Sequence, residues 1–345
     1  MTRVPVETLL RFASAQLGDA GLSVAHARIV AETLVEGDLL GHATHGTALL
    51  PRYLAEIASG DMARDGQPQI TRTAGSVAEH WDGRWLPGPV LVRKAIDSAS
   101  HTARRQGLGA VAIAKSHHIA CLAAYLEAVT QQDLAVIIAS SSPSNRQVAP
   151  YGAVGGVYSP NPIAAGWPTR TQPVMLDISM SIATSGLVSA MAAQGRDLPG
   201  EWLVNQAGRA SSDPATLEAG GALLPAGGLD HGHKGFGLGL LVEMLTTGLA
   251  GHGRVEQTDR WGASVFVLIL DPAHFGGLRP FSAQASWLAD ACRAAPVPDG
   301  APAVRLPGER GLKRKQEQLR HGIDLAPDLH ATLQALGLQT EENPQ

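Results

Sequence analysis

Only two cysteines, Cys121 and Cys292, occur in 345 residues. That is too few for a disulfide framework or a thiolate zinc site, and both read as reduced, mostly buried thiols. Aromatics are sparse too, 15 in all (6 Trp, 4 Tyr and 5 Phe), which leaves no platform for stacking a nucleic-acid single strand. Neither sign of charge dominates. Against 31 Asp and Glu stand 27 Lys and Arg, a formal net charge of −4, with no block of one sign to neutralise phosphates, so no nucleic-acid partner is expected. The longest apolar runs, residues 134–139 and 264–270, fall far short of the roughly 20 residues of a membrane helix. The first ten residues hold no signal-peptide apolar segment, and no internal repeat is visible. A cytoplasmic chain with no membrane partner is the expectation.

What is present is a globular composition, 44% hydrophobic and 17% charged, in a chain long enough for one large domain or two ordinary ones. The first third is helical. Leu9, Phe12, Ala13 and Leu17 form one apolar stripe. Ser23 is placed to cap a second helix, which carries Ala27, Ala31, Leu34 and Val35 on one face and ends near Gly37 or Gly41. A third helix is predicted over 46–58, before Gly60. From about residue 76 short apolar runs alternate with Gly, Pro and polar clusters. Strands are predicted at 110–114, 134–139, 175–178 and 265–270, and helices at 118–130 and, strongly apolar and expected to be buried, 239–249. A polar surface helix after Pro307 and a short one over 326–336 close the chain. The alternation implies a layered α/β core.

Phosphate cradles are few. The run Gly107-Leu-Gly-Ala-Val-Ala112 fits the dinucleotide fingerprint G-x-G-x-x-A, but it precedes a strand instead of following one and opening a helix. Lys234-Gly-Phe-Gly-Leu-Gly239 sets a cation and three glycines just before an apolar helix, a pattern that suits a bound phosphate or carboxylate and equally a close helix-packing site. Histidines form the second signal: His42 and His45 at a predicted helix start, His117 and His118 after a strand, and His231 and His233 beside the lysine. His42 and His45 are spaced to share a metal, but no nearby carboxylate supplies a third ligand, so no metal is expected. An imidazole facing a cleft suits acid–base work because it titrates near neutrality. Asp177-Ile-Ser-Met-Ser181 at a strand end could contact a ribose or phosphate, or cap the next helix. No Gly-x-Ser-x-Gly elbow supports nucleophilic hydrolysis.

Eight segments in one order along nearly the whole chain resemble the type 2 malate/L-lactate dehydrogenase family, the sulfolactate-dehydrogenase-like oxidoreductases. They are Gly41-His-Ala-Thr-His-Gly46, Pro51-Arg-Tyr53, Ser116-His-His-Ile-Ala120, Pro150-Tyr-Gly152, Asn161-Pro-Ile-Ala164, Leu176-Asp-Ile-Ser-Met-Ser181, Lys234-Gly-Phe-Gly-Leu238 and Leu306-Pro-Gly-Glu309. The resemblance implies a three-layer α/β/α fold around a mixed, largely antiparallel sheet, without Rossmann topology. A helical domain from both chain ends (1–75 joined by 306–345) would flank an α/β cofactor-binding and catalytic domain (76–305). It implies a homodimer that moves hydride between NADH or NADPH and a small 2-oxo/2-hydroxy acid, or in some branches a cyclic imino acid. A cofactor-binding homologue that has lost turnover is the further alternative.

Residue by residue, His45 matches the family's proton donor to the substrate carbonyl, and His118 matches a competing proton-handling histidine. Thr44, Arg52 and His117 fall at substrate-contacting places. Ser142, Asp177, Ile178, Ser179, Ser181, Lys234, Gly235, Gly308 and Glu309 match cofactor-contacting ones. Two arginines common in the family are replaced here by Leu40 and Leu49. The second is a natural clamp for a carboxylate, since a guanidinium pairs with it bidentately. Arg52, one turn away, could take over that task. Asn and Gly of the family pattern become His117 and Ala120.

Overall fold

The computed structural model describes residues 2–339. A short strand β1 (Thr2–Val4) leads into α1 (Val6–Asp19), then α2 (Val24–Leu40). Leu9, Ala13 and Leu17 are fully buried, as the stripe predicts, with Phe12 half-buried at its edge. The Ser23 side chain accepts the His26 N–H, and α2 ends at Gly41, whose left-handed φ of 87° suits a residue without Cβ. The third helix departs from expectation. Residues 43–49 form two tight 3-10 turns, and α3 (Leu50–Ser59) starts only at Leu50. Pro51 explains this, because inside a continuous helix its ring would strike the carbonyl four residues back, whereas in a first turn it is tolerated.

Strands β2 (Gln69–Arg72) and β3 (Ala78–Asp82) precede the long α4 (Gly88–Gln106) and β4 (Leu108–His117). Then come the short α5 (Leu126–Thr130), β5 (Ala135–Ser141), β6 (Ile163–Trp167), β7 (Val174–Ile178) and α6 (Ser185–Ala193). A small sheet follows from β8 (Leu203–Val204), β9 (Ala210–Ser211), α7 (Ala215–Glu218) and β10 (Ala222–Leu223). The chain continues through α8 (Gly228–Glu243), with a π-helical extension to Gly248, and β11 (Gly262–Leu270). It closes with α9 (Leu278–Arg293), α10 (Glu309–His321), β12 (Ile323–Leu325) and α11 (Pro327–Ala335).

Seven strands form the main sheet in the order β2-β3-β4-β11-β5-β6-β7. Only β3 and β4 pair in parallel; the other five neighbouring pairs are antiparallel. This mixed sheet has helices on both faces. Val265, Val267 and Ile269 of β11 share a cluster with Val92, Ala95, Ile96 and Ala99 of α4, while Phe266 packs with Val242 of α8 on the other side. Alternation along β11 thus serves two layers. β1 pairs with β12, and Val4, Ile323, Leu325 and Leu333 join α1 to α3 in one apolar cluster.

The pairing has one consequence for function. β3, β4, β5 and β7 run the same way, so Asp82, His117, Ser141 and Ile178 all end at one edge of the sheet.

Three expectations need correction. The helix over 118–130 shrinks to the turn Leu122–Tyr125 and α5, because the chain stays extended after His117 and Ala120 takes a left-handed φ of 58°. The helix over 239–249 begins eleven residues earlier, at Gly228, and much of its outer side is exposed: Leu238, Leu240, Leu241 and Met244 all face outward. Strand β6, reading Ile-Ala-Ala-Gly-Trp, was not expected, its small residues giving no strand signal.

Candidate active site

His45 closes the first 3-10 turn after α2. Its loop is anchored from below by Asp38 in the last turn of α2. One carboxylate oxygen, Oδ2, accepts both the backbone N–H of Thr47 at 2.9 Å and its hydroxyl at 2.6 Å. The loop lies very close to the helix. A Cβ on Gly37 would be 3.0 Å from the His45 carbonyl, and one on Gly46 only 1.9 Å from Asp38 Oδ1. Burial pushes the Asp38 carboxyl up to about 6, against the pull of its Thr47 hydrogen bonds. The folded chain therefore binds this proton more tightly than the unfolded one. The contribution of Asp38 to stability is fully present below about pH 3.8 and is lost as pH rises through about 6. Denaturant unfolding should show a loss of roughly 3 kcal/mol from this group across that window. Asp38→Asn should flatten it, and an unchanged profile in that variant would contradict the assignment.

His118 follows β4 directly and meets His45 above the sheet edge. Their rings stack at 5.9 Å between centroids. His118 also stacks on Trp261 at 4.3 Å, and the Arg52 guanidinium covers Trp261 at 3.5 Å. The result is a continuous column of His45, His118, Trp261 and Arg52. The backbone N–H of Ala120 donates to Nδ1 of His118 at 3.2 Å, and the Tyr53 hydroxyl lies 3.0 Å from the same atom. A backbone N–H can only donate, so Nδ1 carries no proton and the neutral ring holds its hydrogen on Nε2. Burial, reinforced by His45, His117 and Arg52, pushes the His118 imidazole well below its ordinary range.

His45 is different. Burial lowers its pKa, but the Asp177 carboxylate pulls in the opposite direction, and its Nδ1 lies 2.9 Å from the Thr44 hydroxyl. Thr44 is exposed beneath the first turn of α6, where a Cβ on Gly186 would sit 3.5 Å from it. The structure therefore brings together His45, Thr44, His118, Asp177 and Arg52. His117 is not part of that cleft. Its side chain is 0% exposed, beneath the column, with Nε2 3.3 Å from Glu56 and Nδ1 without a partner among the described residues. Burial pushes it down to about 4, so it packs as a neutral ring instead of meeting substrate.

The expected cofactor contacts divide in the same way. Ser142 follows β5, and Asp177 and Ile178 end β7 with Ser179 to Ser181 just beyond it, so both stretches lie at the sheet edge that carries His118. Ile178 is half-exposed there, an apolar platform suited to the flat face of a base or nicotinamide. The hydroxyls of Ser179 and Ser181 donate to the carbonyls of Ser181 and Ala183, which shapes the turn. Lys234 and Gly235 do not open a helix, since they lie in the second turn of α8, where helical bonds occupy the backbone. The packing alternative holds for Gly235: a Cβ would stand 2.4 Å from the Ala226 carbonyl, and the Ala226 N–H donates to Met180. Lys234 remains exposed beside that turn. Gly308, at φ 88°, fits tightly against Met175 of β7, while Glu309 pairs with Arg293 and accepts the Leu306 N–H.

Tyr53, Glu56, Asp38, Cys121 and Trp261 were not foreseen as site residues. Tyr53 belongs to the segment Pro51-Arg-Tyr53, and nothing local marks the others.

Residues 4–334 match the family described as Malate/L-lactate dehydrogenase. The chain belongs to that family. A malate dehydrogenase of Pyrococcus horikoshii is 30% identical over 331 residues, 94% of this chain and 91% of that one. A (2R)-3-sulfolactate dehydrogenase (NADP(+)) of Chromohalobacter salexigens is 34% identical over 272 residues, 76% of this chain and 79% of that one. Among solved structures, the Δ1-piperideine-2-carboxylate reductase of Pseudomonas syringae superposes with a TM-score of 0.86 at 27% identity, covering 98% of this chain and all of that one. The protein is an NAD(P)-dependent oxidoreductase of the dehydrogenase and reductase class.

Proposed function

We propose that the chain reduces a small 2-oxo acid to the 2-hydroxy acid, with His45 as proton donor. The observation that carries this is the contrast between the two stacked imidazoles. His118 already accepts an N–H at Nδ1, whereas His45 bears no such bond among the described residues, and although burial lowers its pKa the Asp177 carboxylate works against that shift. When bound, the nicotinamide supplies the hydride. Hydride addition to C=O leaves negative charge on oxygen, and the imidazolium of His45 neutralises it by donating its proton. His118, as the Nε2–H tautomer, donates a hydrogen bond that orients the carbonyl. The Ile178 platform, the strand-end serines, Lys234 and the Gly308 turn fit the dinucleotide; we assign them to hold it without a Rossmann loop.

The half-exposed Arg52 guanidinium at the mouth of the column is the proposed carboxylate contact. Arg52→Ala should raise KM about 10–100-fold with little change in kcat, the worth of one charge-assisted hydrogen bond. An unchanged KM would remove Arg52 from the site.

One observation favours the cyclic imino acid as second substrate class. Leu49 is an apolar, part-buried side chain where a clamping arginine would stand, which suits a ring-bearing acid. Side-by-side assays of pyruvate, oxaloacetate and Δ1-piperideine-2-carboxylate with NADH and NADPH decide between them, and failure of all three with both cofactors would defeat the reading. We also propose the division into a terminal helical domain (1–75 with 306–345) and a catalytic domain (76–305). The exposed Leu238, Leu241 and Met244 of α8 support a homodimer. The two free cysteines and the lack of any helix, among the described residues, long and apolar enough to cross a membrane support a cytoplasmic setting.

A further inference from the structure

We propose that His42, Cys121 and Asp177 form a binding site for one divalent cation of the zinc class. The three come from separate elements: the turn after α2, the extended segment after β4 and the end of β7. Each offers one ligand atom, and all three atoms lie within 4.8 Å of one another. Cys121 Sγ is 3.6 Å from Asp177 Oδ2. A tetrahedral ion with bonds of roughly 2.0–2.3 Å needs its ligands about 3.5 Å apart, so the side chains would close by no more than about 1.3 Å.

The donor set fits the ion. Thiolate and imidazole together select zinc-like metals over magnesium or calcium, which prefer all-oxygen sites. One thiolate, one carboxylate and a neutral imidazole balance the two positive charges, so a loaded site adds no net charge to a partly buried region. The ligands are also pre-oriented. The Ala123 N–H donates to Asp177 Oδ2 at 2.8 Å. The His42 N–H donates to the Gly37 carbonyl and its own carbonyl accepts the His45 N–H, both at 2.8 Å. The first holds a ligand oxygen in place, as outer hydrogen bonds do; the other two fix the backbone that carries the imidazole. His42 and Asp177 are part-exposed while Cys121 is buried, which leaves a fourth position open on the cleft side, the arrangement of sites that accept a water or a substrate oxygen. Sequence spacing alone could not indicate this site, because the pair His42 and His45 has no local carboxylate and the third ligand comes from a distant strand end.

The full chain, stripped with a chelator, should take up one equivalent of Zn2+ in competition with a chromophoric chelator. Loaded with Co2+, it should show a thiolate-to-cobalt charge-transfer absorption in the near ultraviolet. Cys121→Ser should abolish that absorption, and Cys121→Ser and His42→Ala should each weaken Zn2+ binding more than about 100-fold, beyond the loss of an outer hydrogen-bond partner. Thermal unfolding of the metal-free variants shows that both are folded; His42→Ala alone suffices if Cys121→Ser is not. The inference is overturned if the wild type binds no stoichiometric Zn2+, if both variants bind as tightly as the wild type, or if the cobalt absorption survives in Cys121→Ser and so arises from Cys292. Because the readout is binding, its failure leaves the reductase reading standing, and a chain inactive on every acid could still bind the metal.

Discussion

Replacing His45 with Ala is expected to lower the turnover of 2-oxo acid reduction roughly 10²–10⁴-fold, the usual share of a general acid, while the dissociation constant of the cofactor stays nearly unchanged. The two imidazoles differ in whether they can carry a second proton. His118 cannot be the proton reservoir while its Nδ1 accepts the Ala120 N–H, because forming the imidazolium would set two donors against each other. His45 has no such obstacle, and Asp177 favours its charged form against the burial that lowers its pKa. Reduction should therefore slow as pH rises through a value below the ordinary histidine range, and His45→Ala should remove that limb of the profile. His118→Phe keeps a ring between His45 and Trp261, so it should cost less than His45→Ala and preserve the limb. If His45→Ala kept full activity while His118→Phe lost both rate and limb, the roles would be exchanged.

Much of the frame was legible because its determinants are local. Ser23 and Gly41 bracket α2 through hydrogen bonds and a backbone conformation that need no distant partner. The strands at 110–114 and 265–270 announce themselves by continuous apolar runs buried on both faces. The early start of α8 is hidden in the sequence for a physical reason. Its start, Gly-Leu-Asp-His-Gly-His-Lys-Gly, looks like a loop because glycine is a poor helix former. Three of its glycines are instead demanded by contacts at a distance, Gly232 against Tyr151, Gly235 against Ala226 and Gly239 against Tyr158. The site shows the same limit. The histidines could be named as candidates, but the column that ranks them depends on Trp261, which reaches His118 only when β11 lies beside β4, and on Arg52 of α3. Asp177 was expected to face the cofactor. In the fold it also caps the turn after His118 and acts on His45, roles that no spacing encodes.

Gly46→Ala should lower kcat about 100-fold, the typical cost of displacing a catalytic group by about 1 Å, with cofactor affinity retained. The φ of this residue, −96°, lies outside the left-handed region, while its ψ of −143° falls off the usual β range; the tighter constraint is space. A Cβ would lie 1.9 Å from Asp38 Oδ1 and 2.4 Å from its Cγ. The carboxylate has nowhere to go, being buried and bound twice to Thr47. Either the loop rises or the Thr47 bonds break, and His45, the adjacent residue, moves in both cases. Because the clash is with one side chain, its removal should relieve it. Asp38→Ala alone frees the loop and should also reduce kcat, but adding it to Gly46→Ala should cost much less than the sum of the two single effects. Residues in direct contact couple in this way, whereas independent ones add. Measuring kcat for the wild type, both single variants and the double variant closes the cycle, and strict additivity would show that Asp38 is not what holds His45 in place.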